Sequence, residues 1–201
     1  MAGQKVVQDE RPFLSVLVPS YYSGKTLPET LDSILAQTFH RWQLIVCDDG
    51  TAGFDPAVLE LQIREQLPEG CSVRIISHPQ NVGTVRNLNA ALREATGQWV
   101  MLLAADDVLA GARTLEKLSA VADNTTKPWI VSRTALCDEA LHHTGKFSPA
   151  DMESLREKTA AALNEKLCMG CILPSTGNLY RRALLEELGG FDEAYRLVED
   201  W

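Results

Sequence analysis

Short apolar runs alternate with amphipathic segments along the first two thirds of the chain. The apolar runs are rich in β-branched residues and end at proline, glycine or acidic residues, which is typical of buried β-strands. They occupy residues 13–18, 42–48, 72–78, 98–107 and 128–136. Between them, apolar residues recur at helical spacing, which predicts amphipathic helices. These helices are predicted at residues 26–38, 56–67, 83–97 and 112–124.

This order of elements, βαβαβαβαβ, predicts an α/β fold. Strands that read as nearly continuous apolar runs are buried on both faces. We therefore expect a mainly parallel sheet between two helical layers, which is a three-layer α/β/α sandwich. In such sheets ligands bind beyond the carboxyl ends of the strands, so the residues that follow each strand are the first candidates for chemistry.

The first predicted helix carries clear local signals. Thr26 stands where an N-cap is expected, and Glu29 follows three residues later, which is the spacing of a capping box. One face of the helix is apolar and consists of Leu27, Leu31, Ile34 and Leu35. We therefore expect a helix that starts at a side-chain cap and buries this face.

The regular pattern ends after Ala140. Residues 142–167 read as a loop and a polar helix, and later residues read as an extended segment, a short helix at about 181–188 and a glycine-rich turn. The chain stops at Trp201, directly after the acidic pair Glu199–Asp200. Because a domain rarely ends on such a motif without a closing element, we expect the chain to be a fragment of a longer protein.

Length, charge and cysteine content narrow the function classes. A chain of 201 residues fits one large domain. The net charge of −8 disfavours nucleic-acid partners, which need clustered Lys and Arg. The longest apolar stretch is too short to cross a bilayer, and the amino terminus is too polar for a signal peptide. With five cysteines outside any disulfide framework spacing, the sequence predicts a cytoplasmic protein without a transmembrane segment.

One Cys-x-x-Cys pair, Cys168 and Cys171, has the spacing of two zinc ligands. No second pair of this kind occurs in the sequence. A zinc site would therefore need Cys137 together with His142 or His143. Ordinary packing of these cysteines is the alternative interpretation.

Two acidic pairs, Asp48–Asp49 and Asp106–Asp107, follow predicted strands. Adjacent carboxylates repel each other unless a cation or water meets them. Mg²⁺ and Mn²⁺ prefer carboxylate oxygens together with substrate phosphates. A solvated turn or helix capping is the alternative for either pair. Their shared position at strand ends favours a ligand site that binds a metal ion and a phosphate.

Arg86 and two tyrosines are further candidates. Arg86 falls in the first turn of its predicted helix, where a cation opposes the helix dipole. A facing phosphate or acidic pair would explain this position, and an exposed arginine is the alternative. Tyr21 and Tyr22 follow the first strand, where base stacking and ordinary turn packing are both open. The glycine motifs of nicotinamide-binding and P-loop proteins are absent from the sequence.

Taken together, the motifs resemble those of family 2 glycosyltransferases with the Rossmann-like GT-A fold. The matching stretches run in order from about Phe13 to Trp201 and include SVLVPSYYSG, CDDGT, NVGTVRNLNAAL, GQWVMLLAADD, GNLYRRALLEELGGFDEAY and VEDW. The resemblance implies an inverting transfer of a sugar from a nucleotide-diphosphate donor, usually a UDP-sugar, to an acceptor hydroxyl. It also implies Mn²⁺ or Mg²⁺ as the cofactor.

The resemblance assigns roles to residues of the nucleotide side. Pro19 and Tyr21 would line the nucleoside pocket, Asp49 would hydrogen-bond the base, and Arg86 would lie beside the nucleotide.

Further roles concern the metal and the acceptor. Asp106 would reach the ribose or the metal, and Asp107 would reach the metal–diphosphate group. Asp200, in the Glu-Asp-Trp motif, matches the general base of the family. Many members have Asp-Ala-Asp-Asp at the metal motif, whereas Ala104 stands here in place of the first acid.

On this resemblance, residues 1–12 form a tail and residues 13–201 a catalytic domain, with a nucleotide-binding half at about 13–110 and an acceptor-side half at about 111–201. The implied acceptor is a glycan or a lipid-linked glycan of bacterial polysaccharide synthesis, and a lipid-linked acceptor would bring the protein to the inner face of the membrane. Two other functions stay open. One is an inactive nucleotide-sugar binding module. The other is a phospho-receiver domain, although the Lys that such a domain needs is absent after the fifth predicted strand.

Overall fold

A computed structural model describes residues 12–148, 159, 161–162, 165, 168 and 173–195. The strands are β1 (Leu14–Ser20), β2 (Trp42–Asp48), β3 (Ser72–Ser77), β4 (Trp99–Leu102), β5 (Trp129–Ile130), β6 (Thr134–Cys137), β7 (His143–Ser148) and β8 (Leu179–Arg181). The helices with defined bounds are α1 (Leu27–Leu35), α2 (Pro56–Arg64), α3 (Thr84–Glu94), α4 (Thr114–Asp123) and α5 (Arg182–Glu187). Within these ranges, no helix has the length and apolar character that a membrane span requires.

Six strands form the central sheet, in the order β3-β2-β1-β4-β8-β5. β3, β2, β1 and β4 are parallel, whereas β8 runs antiparallel to both β4 and β5. The register places Ser20 at the end of β1 beside Asp48 at the end of β2. The mainly parallel sheet predicted from the sequence is confirmed.

Helices cover both faces of this sheet. α1, α2 and α4 contribute Leu31, Ile63 and Leu115 to one hydrophobic core. α3 and α5 contribute Leu88 and Leu185 to a second core on the opposite face. The strands supply alternate residues to each core, because successive side chains of a strand point to opposite faces. The three-layer α/β/α sandwich is therefore confirmed.

The start of α1 differs from the predicted capping box. Thr26 precedes the helix with φ −103° and ψ −30°, and its side chain makes no cap hydrogen bond. Its hydroxyl donates instead to the Ser23 carbonyl oxygen at 3.4 Å. A side-chain cap normally needs an extended backbone at this residue, and the near-helical backbone of Thr26 does not provide it. The apolar face of α1 is buried as predicted, through Leu27, Leu31 and Ile34.

The predicted strand at residues 128–136 is two separate strands. β5 is a short edge strand of the central sheet, and β6 pairs with β7 in a separate two-stranded sheet. The prediction of a loop from residue 142 is therefore wrong for residues 143–148, which form β7. The first four residues of β7 are exposed. A strand that buries neither face has no alternation of apolar and polar residues from which it can be recognised.

Candidate functional site

The carboxyl edge of the sheet brings the ends of β1, β2 and β4 together. The Asp49 amide donates to the Ser20 carbonyl at 2.8 Å, and the Ala105 amide donates to the Pro19 carbonyl at 3.3 Å. The chain after β4 therefore stays beside β1 up to Ala105. The sequence placed these residues at strand ends, and the sheet order makes those ends neighbours.

The Asp48–Asp49 pair holds two loops at this edge. Asp49 is 4% exposed, and its two carboxylate oxygens accept hydrogen bonds from the amides of Val82 at 2.6 Å and Gly83 at 3.0 Å. Asp48 Oδ2 accepts from the Thr51 amide at 2.8 Å. A carboxylate has about four lone-pair sites, so two backbone hydrogen bonds leave part of its acceptor capacity unused. Asp49 thus anchors the loop before α3 from a buried position, and its contact with a base stays a prediction.

The Asp106–Asp107 pair lies in the turn after β4. Asp106 is exposed and Asp107 is half-buried. Burial raises the pKa of the Asp107 carboxyl, the Thr176 hydroxyl acts in the opposite direction, and the charge of Asp106 raises the pKa further. Neither carboxylate forms an ion pair within the part of the chain that the structure describes. A bound cation would offset both the burial and the repulsion.

Within the described ranges, no cluster of three or more His, Cys, Asp or Glu side chains is arranged to hold a metal ion. Mg²⁺ and similar ions are commonly bound by one or two carboxylates, with water and substrate phosphates as further ligands. The Asp106–Asp107 pair fits that pattern. Of the proposed zinc ligands, Cys137 and Cys168 are exposed free thiols, and Cys171 lies outside the described residues.

Arg86 pairs with Glu193 and with neither acidic pair at the strand ends. Its Nε lies 3.2 Å from Glu193 Oε2. Both side chains are largely exposed, so this contact is weak and open to exchange. A groove of about 340 Å³ adjoins Arg86 and Glu193 and is bounded by the loop that precedes α3. The prediction that Arg86 faces one of the two acidic pairs is therefore wrong for this structure, because Arg86 is exposed and contacts Glu193, an acid remote in sequence. Its contact with a phosphate stays a prediction.

Asn89 ties that remote segment to α3, a role that sequence reasoning missed. Its Nδ2 donates to the Phe191 carbonyl at 2.9 Å, and the Phe191 amide donates to Asn89 Oδ1 at 2.9 Å. The same Nδ2 lies 3.2 Å from Glu193 Oε1. The signal available in the sequence was a polar residue in the middle of an amphipathic helix, and the structure buries that residue to 7% exposure. Asp200, the predicted base, lies further along this segment and outside the described residues.

A larger groove of about 670 Å³ runs between α1 and α2. It meets the carboxyl edge at Ser20, Asp48 and Thr51, and the rest of its lining comes mainly from the two helices and their connecting turns. Asp48 lines this groove, whereas Asp49, Asp106 and Asp107 follow the strand ends at the carboxyl edge and are not part of its lining. We therefore place the candidate site at the edge.

Residues 15–189 match the family model described as glycosyl transferase family 2. The chain belongs to glycosyl transferase family 2. This family 2 chain is 26% identical over 192 residues to a PGL/p-HBAD biosynthesis glycosyltransferase of Mycobacterium bovis, with 94% of this chain and 67% of the relative covered. It is 28% identical over 96 residues to the Escherichia coli UDP-Glc:alpha-D-GlcNAc-diphosphoundecaprenol beta-1,3-glucosyltransferase WfgD, with 47% of this chain and 35% of that protein covered.

Among solved structures, the family 2 chain is similar to S. aureus TarS 1-349 in complex with UDP-GlcNAc. The TM-score is 0.67 at 26% identity, with 93% of this chain and 50% of that chain covered. The chain thus spans about half the length of that solved protein. This likeness confirms the GT-A fold expected from the sequence.

Proposed function

We propose that this chain forms the donor-binding part of an inverting glycosyltransferase that moves a sugar from a UDP-sugar to an acceptor hydroxyl in bacterial glycan synthesis. The convergence of Asp49, Asp106 and Asp107 at the carboxyl edge of a family 2 sheet carries the proposal. The complex of the TarS relative with UDP-GlcNAc supports a uridine nucleotide as the donor. The acceptor in the proposal is a glycan or a lipid-linked glycan. The site faces the cytoplasm, with peripheral contact to the membrane when the acceptor is lipid-linked.

On the nucleotide side, Pro19 and Tyr21 line the nucleoside and Asp49 accepts a hydrogen bond from the base. Asp106 and Asp107 would hold Mn²⁺ or Mg²⁺ together with the diphosphate, and the bound ion would supply charge stabilisation to the departing diphosphate. Arg86 adds a second positive charge once a phosphate replaces Glu193 beside it.

On the acceptor side, Asp200 takes the proton from the acceptor hydroxyl as that oxygen attacks the anomeric carbon. A carboxylate suits this role when it lies within hydrogen-bond reach of the hydroxyl. Attack opposite the leaving diphosphate inverts the anomeric configuration. Variants of Asp107, on the donor side, should therefore lose donor binding. Variants of Asp200, on the acceptor side, should bind the donor but lose sugar transfer.

Thermal unfolding with UDP, with and without Mn²⁺, tests the donor site. A ligand at about 100 times its Kd stabilises by about 2.7 kcal/mol, which raises Tm by roughly 5–11 °C for a domain of this size. We expect this rise for the wild type with Mn²⁺ and its loss in Asp107→Asn. Asp123→Asn is the matched control, because Asp123 is an exposed aspartate at the end of α4. A rise that is independent of Mn²⁺ and of Asp107, or no rise in the wild type, would refute the proposal.

A further inference from the structure

Tyr22 has an unusual backbone conformation beside the proposed nucleoside pocket. Its φ is 52°, in the left-handed region that glycine and asparagine favour and that bulky residues rarely adopt. Among the described residues other than glycine, only Leu141 shares a positive φ, and it lies between β6 and β7. Strain of this kind persists where the surrounding structure over-determines it, and it concentrates at ligand sites.

A chain of hydrogen bonds holds Tyr22 in this conformation. The Tyr22 amide donates to Thr51 Oγ1 at 2.9 Å, and the Thr51 amide donates to Asp48 Oδ2 at 2.8 Å. Asp48 is fully buried at the end of β2. Through Thr51, the strained residue is therefore anchored to the rigid edge of the sheet.

The strained backbone places the Tyr22 ring against the Tyr21 ring. The ring centroids are 4.7 Å apart and the ring planes meet at 71°, which is an edge-to-face contact. This geometry is a favoured one for aromatic pairs. Tyr21 is 49% exposed and Tyr22 is 62% exposed. Burial in a hydrophobic core therefore does not explain why the strained backbone of Tyr22 is maintained. The ring contact that this conformation does make is the one with Tyr21.

We propose that Tyr22 is a positioning residue that holds the Tyr21 ring as a preformed surface for the nucleobase of the donor. Preformed binding surfaces improve affinity because less conformational freedom is lost on binding. Thr51 is the group that keeps Tyr22 in place. This inference rests on the proposed function, since it takes Tyr21 as a wall of the nucleoside pocket.

The variant Tyr22→Asn separates positioning from ordinary structural support. Asparagine tolerates the left-handed conformation, so we expect the Tm of the ligand-free protein to stay the same or rise. Loss of the supporting ring should raise the Kd for UDP, measured by calorimetry with Mn²⁺, by about threefold to tenfold. The conservative variant Tyr22→Phe retains the ring and should bind UDP with the same Kd as the wild type.

Thr51 provides an independent arm of the same experiment. Thr51→Val removes the acceptor of the Tyr22 amide while keeping the side-chain shape, and it should weaken UDP binding as Tyr22→Asn does. Thr51→Ser keeps the hydroxyl and should bind UDP with the same Kd as the wild type. The inference is overturned if Tyr22→Asn changes the Kd by less than about twofold, or if its Tm falls in step with the affinity. A wild-type protein that binds no UDP would overturn the proposed function as well, whereas wild-type binding that Tyr22→Asn leaves unchanged would overturn this inference alone.

Discussion

Gly50 directly follows the acidic pair Asp48–Asp49 and packs against the loop before α3. Its replacement should lower the stability of the protein more than most glycine substitutions. Its φ is 80°, which only glycine adopts without strain. A Cβ at this position would lie 2.3 Å from the Gln80 carbonyl carbon and 2.6 Å from the Asn81 nitrogen. Both are backbone atoms of the loop whose following residues donate to Asp49. Gly50→Ala must therefore displace the loop that Asp49 holds.

The size of the effect follows from two contributions. A left-handed backbone costs a non-glycine residue about 1–2 kcal/mol, and forcing a carbon into a packed region costs about 1–3 kcal/mol more. Gly50→Ala should therefore lower the free energy of unfolding by about 2–5 kcal/mol. Gly53 is the matched control, because its φ is also 80° and a Cβ there would meet nothing within 4 Å. Gly53→Ala should lose only the strain contribution, about 1–2 kcal/mol.

Urea unfolding of the wild type and both variants measures these free energies directly. The difference between the two variants isolates the clash with residues 80 and 81, and we expect it to be about 1–3 kcal/mol. Gly50→Ala should also bind UDP more weakly, when binding is measured without urea and below the unfolding temperature of the variant. Equal losses in the two variants would show that the close approach at Gly50 does not hold the loop, and the reasoning would fail.

Two further predictions concern charges. Glu193→Gln removes the surface ion pair with Arg86, which is of modest strength, and leaves Arg86 free to contact a phosphate. The Kd for UDP, measured by calorimetry, should therefore fall by about twofold to fivefold. Weaker binding would contradict this exchange. Hydrogen bonds from Arg113 and Thr38 lower the pKa of Glu116 to about 2. The ionised Glu116 therefore stabilises the folded protein fully above the ordinary glutamate pKa, and this stabilisation is lost as the pH falls toward 2. Between these two pH values, the Tm of Glu116→Gln should change less with pH than the Tm of the wild type.

The α/β architecture was readable from the sequence because burial on both faces selects residue types locally. A strand between two helical layers must be apolar along its whole length, and its connecting helices must be amphipathic. The same reasoning placed Asp49 and Asp106 at strand ends. The exposed strand β7 escaped prediction because an unburied strand carries no such selection.

Only the tertiary structure decided which remote groups meet at the site. Arg86 and Glu193 are 107 residues apart, and Asn89 bonds to Phe191 over a separation of 102 residues. The antiparallel insertion of β8 between β4 and β5 brings that segment back to the sheet. Hydrophobic periodicity reports which face of an element is buried and says nothing about which element packs against it. The sequence by itself therefore determined the buried strands and helices that alternate along the first part of the chain and the sheet edge where a ligand would bind, and chain topology determined which residues meet there.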